Sequence, residues 1–132
     1  MVNVRQLEHN GLIVKDLDAS IAFYRDVLGL EMIDRPNFWF PGAWLRAGAA
    51  TIHLIAQRGD TDLPGLPRPA GTTAGGRSFH IAFEVDDCYA AEKALLEKGV
   101  EIARRPKPRP DGAVQLYLFD PDNHVIELFS GP

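Results

Sequence analysis

Two stretches of the chain carry the same succession of apolar and polar positions. Leu7-Glu8-His9-Asn10-Gly11-Leu12-Ile13-Val14-Lys15-Asp16 stands 71 residues ahead of Ser78-Phe79-His80-Ile81-Ala82-Phe83-Glu84-Val85-Asp86-Asp87. At that offset His9 meets His80, Val14 meets Val85, Asp16 meets Asp87 and Ala19 meets Ala90. The offset falls to 70 at Gly29-Leu30-Glu31-Met32 against Gly99-Val100-Glu101-Ile102. It becomes 74 at Ile52-His53-Leu54 against Ile126-Glu127-Leu128. An internal repeat of this kind predicts one structural unit built twice. Each copy opens on β-favouring residues in alternation, which predicts a strand. A helix follows, capped by Asp16 in the first copy and by Asp86 or Asp87 in the second. It ends at Gly29 or Gly99, where glycine accepts a left-handed conformation without Cβ strain. Ile21, Tyr24 and Leu28 give the first helix its apolar stripe; Tyr89, Leu95 and Leu96 mark the second less clearly. Three short strands complete each copy, the last two as a hairpin. Asp120-Pro121-Asp122-Asn123 is the turn of the second hairpin, and Ala47-Gly48-Ala49-Ala50 holds the same place in the first.

The predicted fold is therefore α+β, a single domain over residues 1–132. Module one spans about 3–58, a linker 59–77 and module two about 78–130. The linker, Gly59 to Arg77, is rich in Gly, Pro and Thr, a composition of connecting segments. A second proline-rich run, Arg104 to Gly112, lies inside module two and carries Arg104, Arg105, Lys107 and Arg109. It reads as a solvated loop, with an anion-contacting lid over a site as the sharper alternative.

Composition narrows the function. Forty-five per cent hydrophobic and 24% charged residues suit a folded domain. A formal net charge of −4 argues against a general affinity for nucleic acid or anionic membranes. No apolar run approaches the roughly 18 residues needed to span a bilayer, and the lack of a basic-then-apolar opening gives the expectation of no secretory leader. One cysteine, Cys88, allows neither an internal disulfide nor a cysteine-based zinc cluster. A reducing, cytoplasmic setting is the expectation, with Cys88 serving packing.

Four ligand-type residues fall at the equivalent places of the two copies: His9 with His80, and His53 with Glu127. Ile52 and Leu54 flank His53, and Ile126 and Leu128 flank Glu127. On a strand those apolar neighbours face the helices, so the polar residue between them faces the other way. A carboxylate among core-type strand residues is costly unless it is paired or binds a cation. Three imidazoles and one carboxylate suit a divalent transition metal, Zn, Ni, Co, Fe or Mn, better than calcium. The fourth histidine, His124, sits beside the turn, out of phase with the others.

The run from Leu7-Glu8-His9 through Asp16-Leu17-Asp18-Ala19-Ser20-Ile21-Ala22-Phe23-Tyr24-Arg25-Asp26-Val27-Leu28-Gly29-Leu30 resembles the opening of the vicinal oxygen chelate superfamily. That superfamily includes glyoxalase I, bleomycin- and fosfomycin-resistance proteins, methylmalonyl-CoA epimerase and extradiol dioxygenases. Phe79-His80-Ile81-Ala82-Phe83-Glu84-Val85 resembles its second-module strand, and Phe119-Asp120-Pro121-Asp122-Asn123-His124-Val125-Ile126-Glu127-Leu128 its closing hairpin. The resemblance implies two βαβββ modules forming a cupped mixed sheet around one divalent metal. It places His9, His80 and Glu127 at the usual ligand positions. His53 stands where glyoxalase I enzymes carry Glu or Gln, which makes it a fourth ligand or a base beside the metal. A full ligand set argues against the bleomycin-binding branch.

Chelation of adjacent substrate oxygens would stabilise an enolate-like charge, with Glu127 or His53 moving the proton. Lyase or isomerase chemistry on a small molecule leads. An extradiol-type dioxygenase comes second, and a non-catalytic drug- or metabolite-binding resistance protein is the alternative from another class. Phe38, Trp39, Phe40 and Trp44 form an aromatic cluster that suits module packing, a dimer interface or a pocket wall. Phe38, Trp39, Trp44, Arg46 and Tyr117 are the candidate pocket residues. A homodimer is expected, partly from the superfamily and partly from this cluster.

Overall fold

Strands form where the alternation runs, and their order follows the repeat. The computed structural model describes residues 1–59, 62, 64 and 79–132. The expected linker 59–77 lies outside them apart from residues 59, 62 and 64. The chain divides into two compact units, Met1–Gly65 and Leu66–Pro132.

The first unit holds β1 (His9–Val14), α1 (Leu17–Ile21), a π-helical stretch (Ala22–Val27), β2 (Glu31–Ile33), β3 (Gly42–Ala47) and β4 (Ala50–Ala56). Its sheet has the order β1-β4-β3-β2, with β1 parallel to β4 and the other pairs antiparallel. The second unit holds β5 (His80–Glu84), α2 (Cys88–Glu97), β6 (Arg104–Pro108), β7 (Val114–Phe119) and β8 (Val125–Ser130). Its order, β5-β8-β7-β6, repeats the first, again with one parallel pair, β5 with β8. These are the two βαβββ modules of an α+β fold. No helix of the described residues is long and apolar enough to cross a membrane.

In each sheet one face packs on the helix. In the first, Val14, Leu45 and Leu54 are fully buried and Leu12, Ala43 and Ile52 nearly so. In the second, Leu116, Leu118 and Ile126 are fully buried, beside Cys88 and Leu95 of α2. Each large aliphatic removed from water this way is worth roughly 1.5–3 kcal/mol. Asp16 caps α1 by accepting from the Ala19 amide at 3.0 Å, and Asp87 caps α2 by accepting from the Tyr89 amide at 2.8 Å. Gly29 and Gly99 end the helical segments at φ +79° and +70°. Cys88 packs inside, its thiol donating to the carbonyls of Val114 and Leu128.

Three local expectations are corrected. The first helix widens after one turn: the Leu28 amide donates to the Phe23 carbonyl, a π-type bond. The wider turn buries the consecutive residues Phe23 and Tyr24, whose rings meet edge to face at 5.0 Å, and leaves Ile21 and Leu28 only half-buried. On α2, Tyr89 and Leu96 are exposed, and the inward stripe is Cys88 and Leu95. The proline-rich run 104–112 is not all loop, because its first five residues form β6. β6 is an edge strand, where proline's missing donor costs no ladder bond.

Candidate functional site

The face of each sheet turned away from its helix carries the polar residues. In the first unit, register puts His9 opposite Thr51, Gly11 opposite His53, Trp44 opposite His53 and Arg46 opposite Thr51. Directly paired residues share a face, so His9, His53, Thr51, Trp44 and Arg46 stand on one surface. The rings of His9 and His53 stack at 4.1 Å between centroids, and Trp44 stacks on His53 at 4.1 Å and 5° between planes. His53 is the centre of a three-ring pile. Its Nε2 lies 3.0 Å from the Thr51 hydroxyl, and Nδ1 of His9 pairs with the Glu8 carboxylate. One ligand atom from each of Glu8, His9 and His53 fits within 4.8 Å of the others. Burial, then the nearby His9, pushes the His53 imidazolium below its ordinary range; Glu8 opposes this and Arg35 adds to it.

The second unit repeats the arrangement. Val125 lies opposite His80, and Ala82 opposite Glu127. His80 and Glu127 thus occupy the same register in β5 and β8 as His9 and His53 do in β1 and β4. Nε2 of His80 is 2.9 Å from Oε2 of Glu127. Glu127 is 4% exposed, and its other oxygen accepts from the Gln115 amide at 2.8 Å. Tyr117, opposite Glu127 on β7, is 2% exposed and sets its ring edge to face against His80 at 5.9 Å. Burial first and the Glu127 charge second push the Tyr117 phenol up; Arg104 and Arg109 pull it down. His124 belongs to the hairpin turn instead. Its Nδ1 is 2.6 Å from the fully buried side chain of Asp120, which also accepts from the amides of Asp122 and His124.

The four sequence-predicted ligands thus fall into two adjacent pairs, one in each unit. Of the pocket candidates, Trp44 touches His53 directly, and Phe38 leads to Trp44 at 6.1 Å. Trp39 is 78% exposed and meets Phe40 rather than Trp44. Arg46 is exposed on the His53 face, and Tyr117 belongs with His80 and Glu127. Sequence reasoning missed Glu8, Thr51 and Gln115. Glu8 is adjacent to His9, but Thr51 and Gln115 become visible only once the strands are in register.

The donor set suits a divalent metal. Ligand bonds of about 2.0–2.2 Å set near right angles leave ligand atoms about 3 Å apart, close to the His80–Glu127 separation of 2.9 Å. The buried Glu127 carboxylate is paired with the His80 imidazole and the Gln115 amide.

Two helix-backed sheets of one repeated topology, each presenting a pair of ligand-type residues, have the arrangement of a vicinal-oxygen-chelate type of protein. Residues 6–128 match the Glyoxalase/Bleomycin resistance protein/Dioxygenase superfamily, and the chain belongs to it. It is 35% identical over 131 residues to a lactoylglutathione lyase of Haemophilus influenzae, covering 93% of this chain and 90% of that protein. A crystal structure of a lactoylglutathione lyase from Agrobacterium tumefaciens aligns with a TM-score of 0.68 at 26% identity, over 96% of this chain and 93% of that one. A glyoxalase/dioxygenase from Nostoc punctiforme aligns with a TM-score of 0.77 at 25% identity, over 98% and 93%.

Proposed function

We propose that the chain is a metal-dependent enzyme of the glyoxalase type, acting on a small molecule with two neighbouring oxygens by proton transfer, as a lyase or isomerase. The observation that carries this reading is the common register of His9 with His53 and of His80 with Glu127. Those four residues are the proposed ligands of a divalent transition metal, Zn, Ni, Co, Fe or Mn. When bound, the ion supplies Lewis acidity that lowers the cost of negative charge on substrate oxygen.

The protein's own groups do the rest. The Glu8 carboxylate accepts a hydrogen bond from Nδ1–H of His9 and leaves Nε2 as the ligating nitrogen. Thr51 does the same service at Nε2 of His53, leaving Nδ1. Partners of this kind fix the tautomer and the ring plane. Glu127 would be the proton acceptor: its carboxylate would receive a proton from a substrate carbon and return it to the neighbouring carbon. Gln115 holds that carboxylate in place through Oε1. Where His53 serves as a base instead of a ligand, it is the second candidate for the same transfer, and burial lowers its affinity for protons. The similarity to lactoylglutathione lyases makes that activity the first to assay.

A second reading, a non-catalytic binding protein, is favoured by the aromatic row that runs from exposed Trp39 through Phe40 and Phe38 to Trp44. Metal content per subunit, measured on untagged protein for wild type and His80→Ala, separates the two. The enzyme reading expects near-stoichiometric metal that the variant loses together with turnover. Absence of metal from both proteins after reconstitution, with ligand binding unchanged in His80→Ala, would establish the binding reading. Iron or manganese would direct the next assay to oxygen consumption and the dioxygenase alternative.

A further inference from the structure

Beside Glu127, on the same face of the second sheet, lies a cavity of about 210 Å³ lined by Arg104, Lys107, Pro108, Arg109, Pro110, Gln115 and Tyr117. Its cationic lining is a product of strand geometry. In β6, Arg104 pairs with Tyr117 and Lys107 with Gln115, with a bulge between them. Three steps along β6 thus match two along β7. In a regular strand residues 104 and 107 would point to opposite faces; the extra residue brings both to the face of Tyr117 and Gln115. Arg105 goes to the other face and pairs with Glu92 of α2 at 2.6 Å.

The charges differ in availability. Arg109 is neutralised by Asp111, with contacts of 3.1 and 2.5 Å. Arg104 and Lys107 have no ion pair among the described residues. The donor hydrogens of Gln115 are spent on Glu127 at 2.8 Å and on the Tyr117 hydroxyl at 3.3 Å, so its amide stands between Glu127 and the cations. At this volume the cavity is smaller than the roughly 300–1,000 Å³ that encloses a drug-sized ligand. It suits one end of a molecule.

The geometry points to an oxyanion subsite: Arg104 and Lys107 bind a carboxylate or phosphate group carried by the substrate, next to Glu127. This rests on the reading above for the other end of the ligand, whose adjacent oxygens would meet the metal. The substrate class becomes a small anionic molecule with its charged group a short distance from the reacting carbons.

The test titrates the full-length protein with inorganic phosphate and, separately, with acetate. The Tyr117 ring and Gln115 side-chain amide are followed by NMR, and metal content is measured on the same samples, before and after chelator treatment. The expected result is saturable binding of at least one anion, independent of metal. A double Arg104→Gln/Lys107→Gln variant should weaken it at least about tenfold, the loss expected for hydrogen bonds to charged groups. Arg104→Lys/Lys107→Arg should retain it, and Arg105→Gln should leave it unchanged. Preference for phosphate would identify a phosphate ester, and preference for acetate a carboxylic acid. No saturable binding of either anion, or equal weakening in Arg105→Gln, would overturn the subsite. Anion binding without any metal in wild type would remove the function proposed above and leave the subsite standing. Metal without anion binding would do the reverse.

Discussion

His53 shows how much one side chain's role depends on neighbours that are remote in sequence. It lies between His9 and Trp44, with Thr51 at one ring nitrogen. If Thr51 fixes the tautomer, Thr51→Val should lower metal affinity about 10- to 100-fold, the usual effect of removing such a partner. Competition against a chelator would measure it, with the melting temperature as a check on folding. The ligand-type residues themselves were legible because the repeat aligns them. Thr51, Gln115 and the Trp44 stack were not, because cross-strand register is a tertiary property. A second residue-scale prediction concerns Asp111. Arg109 foremost, and then the Ala113 amide, hold its carboxyl down at about 2, against an ordinary 3.8. The folded chain therefore binds fewer protons than the unfolded one between those values. The stabilising contribution should be complete above about pH 3.8 and lost as pH falls toward 2. The gap in melting temperature between wild type and Asp111→Asn should be constant near neutrality and close in that acid window.

At the scale of elements, capping aspartates, terminating glycines and hairpin turns were readable because each acts over a few residues. The π-helical stretch was not. A 3.6-residue stripe expects Ile21, Tyr24 and Leu28 inside, whereas the molecule buries Phe23 with Tyr24, and packing of the two rings overrides the periodicity. β6 was hidden for the opposite reason. Pro106 and Pro108 favour a loop reading, and only an edge position with a bulge accommodates them. Asp87→Ala should cost about 1 kcal/mol in a denaturant titration, the usual loss on removing a helix N-cap. Leu116→Ala, at a fully buried position of β7, should cost about 2–5 kcal/mol because a cavity is added to the lost transfer energy.

Across the whole molecule, the duplication made the fold readable before any single element was secure. Two sheets of matching strand order, each with one parallel pair, are what offsets of 71, 70 and 74 residues describe. We also propose that the protein pairs with a second copy, in which case sedimentation should give twice 14.6 kDa; a monomer at micromolar concentration would reject this. The three-ring pile has an optical consequence. The chain has two tryptophans: Trp39 is largely in water, and Trp44 lies flat on the imidazole of His53. An excited indole in face contact with an imidazole loses emission when that ring gains a proton or an open-shell metal ion such as Fe, Co, Ni or Mn. In a Trp39→Phe background, the remaining fluorescence would therefore report occupancy of the His53 position directly, turning a stacking contact into a built-in titration signal that needs no substrate.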